Sequence, residues 1–182
     1  MEAYQYPHYY AIALAPSDPG REIDFFEAAI DRFSKGKVNR VFELGAGTAP
    51  YLEEWHKRGY AYCGLDLSPA MIEFGREKAQ RCGIEAKFVL GDMRDLDRGL
   101  GPFDLAYVLL GSLYVRSNRE FLDHLDRVAG MLAPGEPLPV GQRRLVLHLP
   151  RLQKKLDAAQ SRHYGAHPLP CRARRSDRAN LQ

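Results

Sequence analysis

Two glycines and one carboxylate, at a fixed spacing, are the first residues of this chain that suggest chemistry. Gly45 and Gly47 follow the apolar run 41–44, and Asp66 stands 21 residues after Gly45, at the end of a second apolar run. Glycine lets the backbone take positive φ and lie against a ligand, while N–H groups at the start of the next helix stay free. A carboxylate at the tip of the neighbouring parallel strand can accept both hydroxyls of a ribose. The pattern predicts a nucleotide-type cofactor pocket.

A simpler interpretation stands beside this one. G-x-G sequences also mark ordinary tight turns, and short motifs of this kind often match by chance. Asp66 can also be a cap for the helix that begins at Pro69. The two features at this spacing favour the pocket. Pro50 occupies the last position of a dinucleotide-type G-x-G-x-x-G pattern, which argues against NAD.

Hydrophobic periodicity supplies the elements that must position these residues. Strands are predicted at 40–44, 60–65, 86–90 and 103–110, and helices at 21–33, 49–58, 69–81 and 118–132. Residues 1–20, which are rich in Tyr and Pro, are predicted to be irregular. This alternation implies a parallel sheet with helices on both faces and a ligand crevice at the carboxyl ends of the strands.

Length and composition limit the class of protein. A chain of 182 residues with 45% hydrophobic content suits one well-buried α/β domain and is too short for two of ordinary size. It contains no run of 18 apolar residues and no signal-peptide pattern at its N-terminus, so we expect a cytoplasmic protein without a membrane partner. The three cysteines lack metal-ligand spacing, and no metal site is expected.

The composition changes abruptly at about residue 136. Residues 136–182 contain 10 Lys and Arg, 3 Asp and Glu, and only one of the 19 aromatic residues. A segment with so few large apolar groups cannot easily offset its ordering entropy, so we expect a domain over 1–135 and a basic, partly disordered tail over 136–182. Pro137 and Pro139 lack the N–H of an interior strand, so a fifth strand is either missing or shifted to 145–149. A short helix could follow at 153–160.

Five motifs, in order, resemble those of the class I S-adenosylmethionine-dependent methyltransferases. They are Val41-Phe42-Glu43-Leu44-Gly45-Ala46-Gly47, Gly64-Leu65-Asp66-Leu67-Ser68, Gly91-Asp92-Met93, Phe103-Asp104-Leu105-Ala106-Tyr107-Val108 and Met131-Leu132-Ala133-Pro134-Gly135. The resemblance covers about residues 38–135. It implies an α/β fold, a three-layer Rossmann-like parallel sheet with helices on both faces. Nothing after Arg162 resembles the sixth and seventh strands of the family, so we expect the sheet to be truncated after strand 4 or 5.

The resemblance also implies S-adenosylmethionine as the cofactor. Glu43 would lie near its methionine amino group, Asp66 would bind the ribose hydroxyls, and Asp92 with the backbone of Met93 would recognise adenine. The cofactor-binding residues implied are Glu43, Leu44, Gly45, Ala46, Gly47, Asp66, Leu67, Met71, Asp92, Met93 and Leu109. Two of the carboxylates have a purely structural alternative. Asp92 can cap the turn that follows it, and Glu43 can accept from amides of the glycine turn.

Residues for the methyl acceptor are indicated only weakly. Tyr9 and Tyr10 fall where related enzymes carry a lid, although packing of the aromatic rings on the sheet accounts for them equally well. Ser112 and Tyr114 follow the fourth strand and belong to a loop that faces the crevice. The Asn-Pro-Pro-Tyr signature of amino-group methylation on nucleic acid or Gln is absent from this loop, which favours a small-molecule acceptor. No catalytic residue is assigned, because the sulfonium already carries an activated methyl group.

Three functions remain open at this point. The first is methyl transfer to a small molecule, and the second is a truncated homologue that binds the cofactor with little or no turnover. The third is nucleic-acid binding or modification through the Arg-rich tail. We expect the third least, because aromatic stacking partners are absent from that tail. The sequence favours no particular oligomeric state.

Overall fold

The fold is a parallel sheet with helices packed on both of its faces. The computed structural model describes residues 2–13, 18–34, 36–109, 112–133 and 146–148, and the side chains of all of these except 2, 3, 98 and 146–148. The strands are Arg40–Leu44 (β1), Ala61–Asp66 (β2), Ala86–Leu90 (β3), Leu105–Val108 (β4) and Val146–His148 (β5). The α-helices are Pro7–Ala13 (α1), Pro19–Phe33 (α2), Leu52–Lys57 (α3), Pro69–Cys82 (α4) and Asn118–Met131 (α5), with 3-10 helices at Glu2–Gln5 and Arg98–Leu100.

The strand order is β3-β2-β1-β4-β5, and every pairing is parallel. The chain therefore moves outward from β1 through β2 to β3, and then returns to the other side of β1 for β4. β1 and β4 are the neighbours at which the winding direction reverses. In open α/β sheets, ligands bind beyond the carboxyl ends of the strands at such a position.

Alternate residues of the strands enter two separate hydrophobic layers. Val41, Tyr62 and Tyr107 pack in one layer with residues of α2, α3 and α4, including the fully buried Trp55. Phe42, Leu44, Cys63, Leu65, Ala106 and Val108 pack in the other layer with Val128 and Met131 of α5. Side chains alternate between faces along a strand, so one stretch of sequence serves both layers. The predicted three-layer arrangement is confirmed.

Capping residues account for the sharp starts of the longer helices. Asp18, Ser68 and Ser117 precede α2, α4 and α5, and each side chain accepts a backbone N–H from the first turn. Pro follows the cap in α2 and α4, where its fixed φ suits the first helical position. None of the helices within the described ranges is long and apolar enough to cross a membrane.

The predicted elements agree with the structure in the sheet and differ at its edges. β1 and β3 have the predicted bounds, whereas β4 is shorter because Phe103 forms only an isolated bridge with Leu132. The predicted helix 49–58 begins only at Leu52, after the glycine turn. The shifted fifth strand is confirmed, since β5 lies within 145–149 and pairs with β4. The helix predicted at 153–160 and the rest of the tail after 148 lie outside the described residues.

The prediction of an irregular N-terminus is wrong. Residues 2–5 form a 3-10 helix and residues 7–13 form α1, and both contact α4. Aromatic rings make several of the contacts in this region: His8 of α1 lies 5.0 Å from Phe74 of α4, and Tyr4 of the 3-10 helix lies 5.5 Å from Tyr10 of α1, centroid to centroid. None of the residues of α1 is buried, so the helix has no apolar stripe that periodicity would detect.

Candidate functional site

The glycine turn after β1 lies at the point where the winding reverses. Gly45 and Gly47 have φ of +73° and +52°, in the left-handed region that favours glycine. The N–H groups of Gly45 and Ala46 both donate to the carbonyl of Leu65, at 2.8 and 2.9 Å, which holds the turn to the end of β2. The start of the turn is therefore fixed by the backbone of the neighbouring strand.

Gly45 is also closely surrounded. A Cβ atom at this position would stand 2.9 Å from Cβ of Ser112 and 3.1 Å from Cε of Met93. The structure thus brings together three of the predicted site residues, from the loops after β1, β3 and β4. Ser112, which the sequence places on the acceptor side, packs directly on the glycine turn and donates its hydroxyl to the carbonyl of Leu109 at 2.9 Å.

Two residues after Gly47 the chain has Ala49, at a position where the methyltransferase family that the sequence resembles has a third glycine. Ala49 is fully buried and has φ of +48°, an unusual conformation for a residue with a side chain. Its carbonyl accepts a hydrogen bond from Nζ of Lys78 at 2.8 Å, and Lys78 also pairs with Glu53 at 3.4 Å. Burial lowers the pKa of Lys78, while Glu53 opposes that shift. Lys78 therefore anchors the end of the glycine turn to α4, a role that the sequence did not indicate.

Asp66 connects the first two strand ends. Its Oδ2 accepts the N–H of Gly47 at 2.8 Å, and its Oδ1 accepts the N–H of Ser68 at 2.8 Å. The side chain that caps α4 is that of Ser68. Of the two Asp66 oxygens, only Oδ1 contacts the start of that helix, whereas Oδ2 contacts the glycine turn, so helix capping does not account for both. Each carboxylate oxygen has two lone pairs, which leaves further acceptor capacity beside the glycine turn.

Asp92 is engaged within its own loop. Its Oδ1 accepts the N–H of Arg94 at 2.8 Å, and the Arg94 guanidinium donates to both oxygens, at 2.6 Å for the shortest contact. The hydrogen bond and charge of Arg94 lower the pKa of the Asp92 carboxyl, so this group stays ionised. The turn-capping alternative for Asp92 is thus present in the structure. It leaves the carboxylate at the end of β3, partly exposed to solvent.

Glu43 lies in a buried polar cluster beneath the glycine turn. It accepts the hydroxyl of Tyr62 and has a second hydrogen bond with the hydroxyl of Tyr107, which accepts Nε1 of Trp55 at 2.9 Å. Burial raises the pKa of Glu43 to about 8, with Lys78 opposing the shift. The alternative in which Glu43 accepts from the amides of the turn is not what is found, because those amides donate to Leu65 and Asp66.

The cluster contains partners that sequence reasoning missed. Tyr62 and Tyr107 lie on β2 and β4, and the register places Tyr107 directly opposite Glu43 across the sheet. They belong to the layer that holds α2, α3 and α4. The strand order is needed to see this arrangement, because it shows which strands are neighbours. Once the strands are aligned in that order, each neighbour of β1 has a Tyr on the same face of the sheet, and this is a signal that can be detected.

The remaining predicted residues have different surroundings. Leu44, Ala46, Met71 and Leu109 are buried, whereas Leu67 is 68% exposed at the crevice edge. Tyr10 approaches the turn, with its ring 3.6 Å from the position of a Gly47 Cβ, and its pKa is raised by burial first, then by Tyr4 and then by the charge of Asp66. Tyr9 and Tyr114 are 74% and 85% exposed.

Taken in spatial order, the polar groups form a row along one edge of the sheet. Asp92 follows β3, Asp66 ends β2, the glycine turn follows β1, and Ser112 follows β4. Gly91 N–H donates to the Asp66 carbonyl at 3.0 Å, so adjacent strand ends are joined by backbone hydrogen bonds. Among the residues that the structure describes, no three His, Cys, Asp or Glu side chains are grouped to bind a metal.

Comparison with known proteins identifies the family of the chain that carries this row of groups. Residues 41–135 match the model of the methyltransferase domain family, over more than half of the chain. The chain belongs to the class I S-adenosylmethionine-dependent methyltransferases. The matched range contains the glycine turn, Asp66 and Asp92, and it excludes the N-terminal tyrosines.

Individual relatives are more distant. The chain is 28% identical over 123 residues to a demethylmenaquinone methyltransferase of Thermus thermophilus, covering 66% of this chain and 54% of the relative. It is 26% identical over 96 residues to a putative methyltransferase of Bacillus subtilis, covering 52% of this chain and 38% of the relative. The chain thus spans about half, or less, of the length of these methyltransferases.

Solved structures agree on the fold. The crystal structure of DesVI from Streptomyces venezuelae superposes with a TM-score of 0.61 at 23% identity, covering 82% of this chain and 57% of that one. CalS10 of Micromonospora echinaspora, an amino pentose methyltransferase solved with S-adenosylmethionine bound, gives a TM-score of 0.52 at 26% identity, covering 69% and 56%. The Rossmann-like methyltransferase fold is therefore confirmed.

Proposed function

We propose that the chain binds S-adenosylmethionine at the row of strand ends and transfers its methyl group to a small-molecule acceptor. The observation that carries this proposal is the set of three backbone-fixed groups: the glycine turn, Asp66 and Asp92, which follow one another on β1, β2 and β3. Bare backbone at Gly45 and Gly47 admits a ligand closely. Two carboxylates beside it match the ribose hydroxyls and the adenine amine of a nucleoside.

The residues fit the cofactor by their chemistry. Gly45 and Gly47 would lie under it, Asp66 would accept from the ribose hydroxyls, and Asp92 with the Met93 backbone would bind adenine. Leu44, Ala46, Leu67, Met71 and Leu109 would line the pocket, and Glu43 would lie near the methionine end. When bound, the cofactor supplies an activated methyl group on a sulfonium. The chain supplies alignment and exclusion of water, and we assign no general base.

A small-molecule acceptor is supported by the relatives and by the open side of the site. The relatives' names include a demethylmenaquinone and an amino pentose methyltransferase, and both of those acceptors are small molecules. Tyr9, Tyr10, Ser112 and Tyr114 are the acceptor-side candidates. Of these, Tyr10 and Ser112 lie against the glycine turn, whereas Tyr9 and Tyr114 present exposed rings beyond it.

The first test is calorimetric titration of the full chain with S-adenosylhomocysteine, with NAD as the control nucleotide. We expect a dissociation constant in the range of about 1 to 100 μM, a typical affinity for a small ligand in a formed pocket, and no heat with NAD. Absence of S-adenosylhomocysteine binding at about 1 mM would contradict the proposal.

The second test is transfer of a labelled methyl group to a panel of quinols and amino sugars. Transfer to any member of the panel identifies the acceptor class. Binding without transfer to any acceptor favours the alternative of a truncated homologue that holds the cofactor and turns over weakly. The chain spans about half of the length of its relatives, and the titration and the transfer assay together decide between an enzyme and a binding protein.

A further inference from the structure

A buried histidine on α5 holds the loop that follows β3. His124 is 3% exposed, and its Nδ1 lies 2.9 Å from the carbonyl oxygen of Met93, 31 residues away in the chain. A carbonyl oxygen can only accept, so Nδ1 carries the hydrogen and donates it. Placing an imidazole in an apolar layer costs free energy unless its polar atoms are bonded, so this contact is specific.

The same helix face holds the loop at two further residues. Arg127, three residues after His124 and on the same side of the helix, pairs with Asp95 at 3.0 Å. Leu96 is buried in the layer that contains Val128 of α5. We call residues 91–96 the adenine loop. α5 therefore bonds to the loop at residues 93 and 95 and shares a hydrophobic layer with residue 96.

The opposite side of the adenine loop rests on the cofactor pocket. The Met93 side chain ends 3.1 Å from the position of a Gly45 Cβ, and the N–H of Gly91 donates to the carbonyl of Asp66 at 3.0 Å. The loop is thus clamped between α5 and the glycine turn. A shift of Met93 away from α5 would change its distance from Gly45 at the same time.

The two adenine-recognition groups are held by different means. The carboxylate of Asp92 takes its orientation from Arg94, within the loop. The backbone of Met93 is held from outside the loop by His124, through the Met93 carbonyl, while within the loop the carbonyl of Asp92 accepts the N–H of Asp95 at 2.9 Å. Loss of the histidine bond would leave Asp92 paired and would remove the hydrogen bond that ties the Met93 carbonyl to α5.

We propose that His124, assisted by Arg127, is a positioning residue that sets the selectivity of the pocket for adenine without touching the cofactor. This inference rests on the proposed cofactor site and goes beyond it. α5 thereby contributes, through these two residues, to the recognition of the nucleoside. Neither residue belongs to any of the five motifs.

The test compares S-adenosylhomocysteine with S-inosylhomocysteine, in which a 6-oxo group replaces the exocyclic amine of adenine. Calorimetry on the full chain gives the ratio of the two dissociation constants. We expect the parent to prefer the adenine form, and His124→Ala to reduce that ratio by about fivefold or more, as loss of one buried hydrogen bond predicts. His124→Asn should restore most of the ratio, since the Asn amide nitrogen takes the place of Nδ1. Arg127→Ala, which breaks an exposed pair, should change the ratio by about twofold or less.

Val128→Ala is the matched control. Val128 is fully buried on the same helix and in the same layer, but it has no hydrogen bond to the adenine loop. Its truncation should lower the melting temperature as His124→Ala does and leave the ratio unchanged. A purely structural histidine would make the two variants behave alike.

The outcomes separate this inference from the proposed function. If the parent binds neither ligand, the proposed function fails. If the parent binds both ligands equally, or if His124→Ala keeps the parent's ratio, the positioning role is wrong while cofactor binding stands. If circular dichroism finds His124→Ala unfolded, the ratio of His124→Asn relative to the parent and to Val128→Ala decides the matter.

Discussion

The carboxyl edge of the sheet and the N-terminal segment beside it are built in different ways. At the edge, Asp66 binds two backbone N–H groups, and the amides of the glycine turn bind the carbonyl of Leu65. In the N-terminal segment the contacts are between rings, and Tyr6 and Tyr9 are largely exposed. The edge is a preformed backbone scaffold, whereas the segment is a set of adaptable side chains.

In the proposed function, the edge is the donor half of a group-transfer site and the segment belongs to its acceptor half. A donor that is the same in every turnover is best met by fixed groups, because preorganisation reduces the entropy lost on binding. An acceptor that differs between related proteins is met by exposed side chains on adaptable segments. Substitutions at the edge should therefore affect the donor first, and substitutions in the segment should affect the acceptor.

The largest effect is expected for Asp66→Ala. The change removes the proposed ribose acceptor and leaves the N–H groups of Gly47 and Ser68 without their partner. Affinity for S-adenosylhomocysteine should fall by about 100-fold or more, measured by calorimetry. Glu73→Ala, an exposed acid of α4, is the control and should bind as the parent does. Parent-like affinity in Asp66→Ala would refute the ribose assignment.

Gly45→Ala tests whether the crowding at the turn matters beyond its backbone conformation. Gly83, the cap of α4, has a similar φ of +65° but nothing within 4 Å of its Cβ position. Alanine at either site carries the left-handed penalty of about 1–2 kcal/mol, which should appear in the unfolding free energy. Only Gly45→Ala must also displace Ser112 and Met93, so only it should weaken cofactor affinity, by about tenfold. Equal affinity in the two variants would show that the crowding is harmless.

The buried carboxyl of Glu43 should make stability depend on pH. Its pKa is raised from 4.5 to about 8, so the folded chain keeps a proton that the unfolded chain loses between these values. The unfolded state binds fewer protons in this window, and stability therefore falls as pH rises through it. Glu43→Gln cannot ionise, so its melting temperature relative to the parent should rise by about 7–14 °C between pH 5 and pH 8, as a change of about 3.5 kcal/mol predicts.

Glu73→Gln, on the exposed face of α4, provides the control series for this measurement. Its melting temperature should follow that of the parent across the same pH range. A constant difference between Glu43→Gln and the parent from pH 5 to pH 8 would mean that the carboxyl is ionised in the folded chain.

The smallest effects are expected in the N-terminal segment, and they should separate its two tyrosines. Tyr10→Ala removes a ring that approaches Gly47 and should weaken S-adenosylhomocysteine binding by about three- to fivefold. Tyr9→Ala removes an exposed ring and should leave that binding unchanged, while raising the KM for whichever acceptor is found. If Tyr10→Ala and Tyr9→Ala have the same affinity for S-adenosylhomocysteine, the assignment of Tyr10 to the cofactor and of Tyr9 to the acceptor is wrong.

Sequence patterns predicted the edge well and the segment poorly, for physical reasons. β1, β3 and the cap of α4 follow from local periodicity and capping, which neighbouring residues determine. The glycine turn and Asp66 were likewise recognised by their spacing. The partners of Glu43, by contrast, depend on which strands lie side by side, and α1 depends on ring contacts with α4. Such long-range contacts leave no periodic trace in the chain.

The only tryptophan of the chain occupies a useful place. Trp55 is fully buried, and its indole N–H is bonded to Tyr107, which is in turn bonded to Glu43 under the glycine turn. An indole emits according to the polarity and hydrogen bonding around it. Its fluorescence is therefore an internal reporter on the layer below the pocket. Ligand titrations and the pH series on Glu43 can be followed optically and without a label, with excitation that selects the one tryptophan over the ten tyrosines.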